Sequence, residues 1–357
     1  MTATPLLRLR KVVKAFGKFT VLHGIDLDIL EGEFFTIVGP SGSGKSTLIR
    51  LLVGMDEVTS GEIHLRDERI DKTPANLRPT CMVFQSLALF PHMSVGRNIE
   101  FPLKLRKIAP GTRRIRALEL LDLLRLPRDF YDKRISQCSG GEQQRVALAR
   151  ALAFDPEILF FDEPLSALDH RLRKTLEKEL KALHARTGKT FVYITHSLEE
   201  AMVMSDRIAI LKAGRFEQIA RADEIYGAPV SRFVAEFMGE VNLFAVAANE
   251  AGCLTGPGVT ARHGAAQGML KPGENGLLMV RPEYVQFTGD PAAYDYSLDG
   301  KILNEYALGS RIQYEIEGPE GQILTVEKLR EERLPNVEGQ VITLGFHAAN
   351  THVIREG

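Results

Sequence analysis

A chain of 357 residues is long enough for two or three folding units, each with a hydrophobic core of its own. Hydrophobic residues make up 44% of the chain and charged residues 25%, proportions that are ordinary for a soluble globular protein. The formal net charge of −1 gives no electrostatic reason to expect a nucleic-acid partner.

Residues 1–11 carry early arginines but no following apolar core, so they do not resemble a secretory signal. We therefore expect a cytoplasmic protein. No stretch approaches the roughly 20 apolar residues that cross a bilayer, so any membrane role needs a partner. Cys81, Cys138 and Cys253 are far apart and lack metal-site spacing, which indicates reduced thiols and no zinc site.

From Leu6 to about Glu236, short apolar runs alternate with amphipathic segments, a pattern typical of an α/β domain with a parallel sheet. Four runs predict buried strands: Phe34–Val38, Ile158–Phe161, Phe191–Thr195 and Arg207–Leu211. Between them, residues 86–150 are predicted to form an inserted helical subdomain. Within it, residues 113–126 are predicted to form a helix with Ile115, Leu118, Leu120 and Leu121 near one face.

After Phe244 the pattern changes to short strands separated by glycine and proline. The predicted strands are Gly276–Val280, Ile312–Ile316, Ile323–Val326 and Val341–Phe346. This part should form a small all-β barrel or sandwich. We place the boundary near Gly239, giving domains at 1–239 and 240–357.

The segment between the first predicted strand and a helix through Leu51 fits the P-loop pattern. Its glycines let backbone N–H groups turn toward phosphate oxygens, and the helix N-terminus favours an anion. Lys45 is placed to reach the β- and γ-phosphates, and Ser46 to ligate Mg²⁺. The predicted nucleotide-binding residues here are Gly39, Pro40, Ser41, Gly42, Ser43, Gly44, Lys45, Ser46 and Thr47. The loop alone does not separate a transporter ATPase from a kinase, a GTPase or a motor.

A second anion site is predicted at Ser139-Gly140-Gly141-Glu142, because these residues precede a helical run from Gln144 to Ala153. One chain with two phosphate-binding elements suggests that they serve one nucleotide across a two-fold dimer.

Two adjacent carboxylates, Asp162 and Glu163, follow the apolar strand at Ile158–Phe161. Ligands bind at the carboxyl ends of strands in open α/β sheets. Asp162 can therefore hold Mg²⁺, and Glu163 can polarise the water that attacks the γ-phosphate.

The whole set of motifs resembles the nucleotide-binding domain of ABC transporters, in which Ser-Gly-Gly is the signature motif. The resemblance implies ATP as the nucleotide and gives roles to residues that are uninformative alone. Phe16 would stack on adenine, and Asp169 would end the D-loop that begins at Ser166. The implied catalytic set is Lys45, Gln85, Glu163 and His196, where Gln85 is the Q-loop residue and His196 the switch histidine; the implied Mg²⁺ ligands are Ser46, Gln85 and Asp162.

The signature departs from the family's usual Leu-Ser-Gly-Gly-Gln, because Cys138 and Glu142 stand at its ends. Cys138 should be tolerated as a small apolar residue. Glu142 keeps the length of glutamine but adds a negative charge, and we expect the site to remain active.

The resemblance covers the entire chain, since one group of importer ATPases has a similar OB-like C-terminal extension, and Arg281-Pro282-Glu283 is similar to a motif recurrent there. Residues 237–244 at the junction look most like spermidine/putrescine importers, with ferric-iron, sulfate and sugar relatives close behind. The implied assembly is a homodimer with two permease subunits and an external solute-binding protein at the cytoplasmic face of the bacterial inner membrane.

Two other classes stay open as alternatives: a soluble, non-transport ABC ATPase acting on nucleic acid or ribosomes, and a nucleotide-binding scaffold without turnover. A single compact cassette without a long coiled coil argues against the first, and so does the near-neutral charge. The presence of Glu163 and His196 argues against the second.

Overall fold

The computed structural model describes residues 5–166, 168–250, 254–256, 259–261, 270–335 and 337–355. Contacts divide the chain into two compact units, Met1–Ala222 and Asp223–Gly357. Within the described ranges, no helix is both long enough and apolar enough to span a membrane. Cys81 and Cys138 are free thiols, whereas Cys253 lies outside the described residues.

The first unit contains ten strands and six helices among its described residues. The strands are β1 (Pro5–Phe16), β2 (Phe19–Leu30), β3 (Phe34–Val38), β4 (Ser60–Leu65), β5 (Glu68–Arg69), β6 (Thr80–Val83), β7 (Ile158–Asp162), β8 (Thr190–Ile194), β9 (Arg207–Lys212) and β10 (Arg215–Arg221). The helices are α1 (Lys45–Val53), α2 (Val95–Leu105), α3 (Pro110–Leu123), α4 (Gly140–Leu152), α5 (His170–Thr187) and α6 (Leu198–Met204).

A six-stranded sheet in the order β10-β9-β3-β8-β7-β6 forms the centre of this unit. All its neighbouring pairs are parallel except β10 with β9. Side chains alternate between two cores: Ile158 and Phe160 join the cluster formed with α1, β1 and β2, whereas Leu159 and Phe161 join the cluster formed with α2–α5. Because both faces are covered, the strands are continuously apolar, and the four predicted strands are confirmed within one residue at each end.

In the helical region, α3 differs from the prediction in its bounds and in its buried side. The helix α3 begins and ends three residues earlier than predicted, and Arg125 beyond it is left-handed, with φ 56°. Leu120 and Leu121 are buried as expected, but Ile115 is 62% exposed. The buried side of α3 therefore runs through Ala117, Leu120 and Leu121 and leaves Ile115 in solvent, because residues five or six apart on a helix do not share a face.

The second unit is antiparallel throughout its described strand pairs. Two short helices, α7 (Ala222–Gly227) and α8 (Arg232–Phe237), come first. The strands are β11 (Asn242–Ala248), β12 (Leu254–Thr255), β13 (Thr260–Ala261), β14 (Asn275–Val280), β15 (Gln286–Phe287), β16 (Tyr296–Ala307), β17 (Arg311–Glu317), β18 (Ile323–Leu329), β19 (Val341–Phe346) and β20 (Thr351–Arg355). They form one sheet in the order β12-β11-β14-β20 and another in the order β15-β19-β16-β17-β18, with β13 beside β16, around a shared core.

The division of the chain after Ala222 falls before the boundary predicted near Gly239. The physical reason is Arg281, which is 1% exposed and donates to the carbonyl oxygens of Ala235 (2.9 Å) and Tyr226 (3.0 Å). Helices α7 and α8 are thereby bound to the strands that follow them. The Arg-Pro-Glu motif noticed in the sequence is thus a structural anchor of the second unit.

Candidate active site

The loop between β3 and α1 owes its shape to glycine. At Gly39, a Cβ atom would lie 2.1 Å from the carbonyl oxygen of Leu211, a distance at which no side chain fits. Gly42 and Gly44 have φ values of 76° and 106°, in the region that glycine adopts without strain. The loop therefore delivers the free N–H groups at the start of α1 to one place, which is the requirement for a phosphate cradle.

Lys45 is buried inside this loop. Its Nζ donates to the carbonyl oxygens of Gly39 (2.7 Å) and Pro40 (3.0 Å). Burial lowers the pKa of Lys45, and the carboxylates of Glu163 and Asp162 oppose that shift. The ammonium thus lies in the loop beside two acids, where phosphate oxygens can replace the carbonyl oxygens as its acceptors.

Two further hydroxyls of the loop fit a phosphate and its cation. Ser43 is buried, and its Oγ has no hydrogen-bond partner among the described residues. A buried hydroxyl without a partner is destabilising unless a ligand supplies one. Ser46, at the first turn of α1, is exposed and free to reach an ion outside the loop.

Asp162 and Glu163 lie at the carboxyl end of β7. In the sheet, β8 lies between β7 and β3, the strand that leads into the phosphate loop. Burial raises the pKa of Asp162, Glu163 adds to the rise, and Lys45 opposes it. Glu163 has a left-handed backbone (φ 46°), and its N–H donates to the carbonyl of Ile194 at 2.9 Å. Its Oε2 lies 3.2 Å from Nδ1 of His196, so the residues predicted as base and switch histidine are in contact.

Gln85 is joined to this acid by one serine. Its Nε2 donates to Oγ of Ser166 (3.0 Å), which donates to the carbonyl oxygen of Glu163 (2.9 Å). From the sequence, Ser166 is only the first residue of a loop, and no contact is predicted for it. Nothing in the local pattern indicates a bond between residues that are 81 positions apart.

Arg150 is a second residue whose role could not be predicted from the sequence. Its guanidinium, from the last turn of α4, donates to the carbonyl oxygens of Leu87 and Ala88 at 2.7 Å each. Both have positive φ values, 58° and 46°. Burial lowers the pKa of Arg150, although the side chain remains charged. The strained loop after Gln85 is therefore held by the helix that carries Ser139 at its other end.

The Ser-Gly-Gly segment caps α4 by a reciprocal pair of hydrogen bonds. Oγ of Ser139 accepts from the N–H of Glu142 (3.4 Å), and Oε2 of Glu142 accepts from the N–H of Ser139 (2.7 Å). The same Oε2 lies 3.3 Å from Nζ of Lys133. The Ser139 N–H, and after it Lys133, hold the pKa of Glu142 below its usual value. The negative charge that Glu142 adds to the signature therefore stabilises the N-terminal cap of α4.

Cys138 is 7% exposed and packs in the core with α2–α4, as expected of a small apolar residue. Burial raises the pKa of its thiol. The groove beside the cap is lined by residues of α4 and α5: Ser139, Gly140, Gly141, Glu142, Arg145, Asp169, Arg171, Leu172 and Thr175. Its described lining includes no residue of the loop 39–47.

Phe16 ends β1, and its ring is half exposed, with Nζ of Lys14 4.8 Å from the ring centroid. An exposed ring at a strand end is available to stack on a base, which is the role predicted for Phe16.

Comparison with known proteins places this site in a family. Residues 22–166 match the ABC transporter family, and residues 278–354 match the TOBE domain. The chain is an ABC transporter ATPase, the class that its fold and site define. It is 44% identical over 309 residues, 85% of this chain and 84% of the relative, to the spermidine/putrescine import ATP-binding protein PotA of Roseobacter denitrificans. The protein of that name from Thermotoga maritima is 40% identical over 90% of this chain and 89% of its own. The chain therefore belongs to the family of spermidine/putrescine import ATP-binding proteins.

Solved structures agree with this assignment. A dimeric bacterial ABC transporter cassette is 35% identical, with a TM-score of 0.53 over 60% of this chain and 98% of the cassette. The same cassette has also been solved as a dimer in a post-hydrolysis state bound to ADP and Pi. The protein cbiO1 of Clostridium perfringens, part of an ABC transporter complex, has a TM-score of 0.58 at 27% identity over 62% of this chain and 90% of cbiO1. The predicted fold class and ATPase class are confirmed, and ATP is the nucleotide of such cassettes.

Proposed function

We propose that this chain is the ATP-hydrolysing subunit of a bacterial polyamine importer, working as a homodimer on the cytoplasmic face of the inner membrane. The observation that carries the proposal is the contact of Glu163 with His196 at the sheet edge where Lys45 lies. The relatives named as spermidine/putrescine import proteins support the choice of solute. Two permease subunits and an external solute-binding protein complete the proposed complex.

In the proposed reaction, the backbone N–H groups of residues 41–47 and the ammonium of Lys45 bind the phosphates of ATP. Glu163 orients the attacking water and accepts its proton, and His196 keeps that carboxylate in place. Gln85 and Ser166 hold the backbone of Glu163 from the other side.

The residues also fit a magnesium ion bound together with ATP. Among the described residues there is no group of three or more His, Cys, Asp and Glu that could hold a metal alone. Ser46, Asp162 and Gln85 supply the hydroxyl, carboxylate and amide oxygens that Mg²⁺ accepts alongside phosphate oxygens. When bound, Mg²⁺ would neutralise charge on the β- and γ-phosphates.

The groove beside Ser139 supports the dimer. It offers N–H groups at the start of α4 and the cation of Arg171, yet none of the proposed catalytic side chains lines it. Two chains related by a two-fold axis would each place this groove against the other's phosphate loop. Each of the two sites would then use both chains.

The test replaces Glu163 by glutamine. Glu163→Gln should lower ATP turnover by about 100-fold or more and accumulate an ATP-bound dimer, because the amide accepts no proton. Glu157→Gln is the matched control. Glu157 lies immediately before the first residue of β7, far from the end that carries Glu163, and forms an exposed ion pair with Arg66. Phosphate release and size-exclusion chromatography report the two effects. Unchanged turnover in Glu163→Gln would remove the assignment of the base.

A second measurement addresses the solute. The dimer, reconstituted with its permeases in vesicles, should hydrolyse ATP in response to a spermidine-loaded binding protein and take up labelled spermidine. Uptake of sulfate or maltose with no uptake of spermidine would contradict the polyamine assignment.

A further inference from the structure

The residues around His196 include a buried carboxylate that the proposed reaction does not use. Glu200 is 3% exposed and lies in the first turn of α6. Its Oε2 accepts from the hydroxyl of Tyr193 (2.8 Å) and from Oγ1 of Thr195 (2.8 Å). Burial and the neighbouring Glu200 raise the pKa of Tyr193 far above its usual value, so that its hydroxyl remains a donor.

The start of α6 has the same Ser-x-x-Glu pattern as the start of α4, but the two glutamates behave differently. At α4, Glu142 accepts from the N–H of the N-cap serine. At α6, the N-cap is Ser197, whose N–H donates instead to Oγ1 of Thr195 (2.9 Å). The carboxylate of Glu200 is thereby free of the cap and turns toward the sheet. Thr195 accepts from the residue after His196 and donates to Glu200, so it holds the chain on both sides of the histidine.

Glu200 also faces α5, the helix that follows the loop from Ser166 to Asp169. Its Oε1 lies 3.8 Å from Nε of Arg173. The NH2 group of Arg173 donates to the carbonyl oxygen of Leu168 at 3.0 Å. One guanidinium therefore contacts both the loop before α5 and the carboxylate behind His196.

A buried charge is a poor means of stabilisation. Removing a carboxylate from water is unfavourable, its partners return about as much free energy as this costs, and packed apolar residues often stabilise a fold equally well. A carboxylate has an advantage over apolar side chains in another respect: its directional hydrogen bonds fix the relative positions of the groups that it bonds. Here the groups that Glu200 bonds are Tyr193 of β8 and Thr195, the residue before His196, whereas Arg173 of α5 lies within ion-pair distance at 3.8 Å.

We propose that Glu200 is a positioning residue for hydrolysis, which fixes the backbone around His196 through Thr195 and connects it through Arg173 to the loop at Leu168. The inference builds on the proposed role of His196. The contact of His196 with Glu163 is then set by Thr195, and a shift of α5 is transmitted to it through Glu200.

The test uses variants that each change one side chain of this hydrogen-bonded group. Thr195→Val removes the hydroxyl with little change in shape, and Thr195→Ser keeps it. Thr195→Val and Glu200→Gln should each lower kcat about tenfold while KM for ATP changes less than twofold, because a small misplacement of a positioned group slows the chemical step. Thr195→Ser should restore most of the rate. Glu199→Gln is the matched control, since Glu199 pairs with Lys174 of the same α5 but is 64% exposed; its rate should equal that of the wild type.

A double-mutant comparison separates positioning from a general effect on the fold. In a His196→Ala background, Thr195→Val and Glu200→Gln should cause no further loss of the residual single-turnover rate with labelled ATP. A tenfold loss in that background as well, or wild-type kcat in both single variants, would overturn the inference. If His196→Ala itself kept full turnover, the proposed role of His196 would fail. If His196→Ala lost turnover but Thr195→Val did not, only the role of Glu200 would fail.

Discussion

Replacing Glu142 tests whether the departure from the usual signature glutamine is compensated by the helix cap. Two contributions are at stake: the hydrogen bond from the Ser139 N–H, of about 1 kcal/mol for a helix cap, and the pair with Lys133. Because the two charged side chains are 28% and 26% exposed, solvent screening limits the pair to about 0.5 kcal/mol. Glutamine keeps an acceptor oxygen and loses only the charge, whereas alanine loses both contributions.

Glu142→Gln should therefore lower the free energy of unfolding by about 0.5 kcal/mol and Glu142→Ala by about 1.5 kcal/mol. For a unit of this size, these losses correspond to Tm decreases of about 1–2 °C and 3–6 °C. Thermal unfolding followed by circular dichroism at pH 7 measures both. Glu119→Gln is the control, since Glu119 forms an exposed pair with Arg116 on α3 and should change Tm by less than about 1 °C.

The pH dependence checks the cause. The pKa of Glu142 is lower in the folded chain than its ordinary 4.5, chiefly because the Ser139 N–H donates to the carboxylate. A lowered pKa means that the stabilisation is complete above the unfolded value and is lost as pH falls through the folded value. The Tm gap between the wild type and Glu142→Gln should thus be present at pH 7 and narrow progressively as the pH falls below the ordinary value of 4.5. An alanine variant as stable as the wild type, or a gap that pH does not alter, would refute the reasoning.

Three further changes probe contacts that hold the site and the second unit. Gly39→Ala should abolish binding of a fluorescent ATP analogue, because its Cβ would lie 2.1 Å from the Leu211 carbonyl oxygen; retained affinity would show that the loop adapts. Arg150→Gln should lower the free energy of unfolding by about 2 kcal/mol, since two carbonyl oxygens of the strained loop lose a charged donor. Urea titration measures this loss, and an unchanged unfolding midpoint would show that Arg150 does not stabilise the loop. Asn242→Ala should destabilise the second unit by about 2 kcal/mol, because the amide both donates to and accepts from the backbone of Thr325 at 2.8 Å. Hydrogen exchange at β18 reports this loss, and unchanged protection there would count against it.

The sequence was sufficient for the elements whose signals are local. The central strands could be predicted because each is a continuous apolar run, as at Phe34–Val38. The position of Asp162 and Glu163 at the ligand-binding edge followed from the rule that ligands bind at the carboxyl ends of parallel strands. By contrast, no strand was predicted before Phe34, although β1 and β2 are both twelve residues long. In β1, basic residues interrupt the apolar ones and bulges disturb the alternation, so its pattern is not that of a regular strand.

What sequence reasoning could not supply were polar contacts between distant positions. The bond of Gln85 to Ser166 and the bonds of Arg150 to the loop after Gln85 join residues more than 60 positions apart. Such bonds leave no periodicity, and either residue alone looks like any polar residue on a loop or helix. The different hydrogen-bond partners of Glu142 and Glu200 could not be predicted either, because both residues follow the same Ser-x-x-Glu spacing. Only the presence of Thr195 beside the second serine decides which group receives its N–H.

The positions of these unpredicted contacts explain how separate motifs can act together. Helix α4 has thirteen residues, about 20 Å of rigid structure, with Ser139 capping its first turn and Arg150 in its last. The loop after Gln85 therefore moves with the helix whose N-terminus forms the Ser-Gly-Gly groove, because the guanidinium holds two of the loop's carbonyl oxygens. Gln85 meanwhile contacts Ser166, and through it the backbone of Glu163. A displacement of this one loop thus reaches two parts of the candidate site: the groove through α4, and the backbone of Glu163 through Ser166.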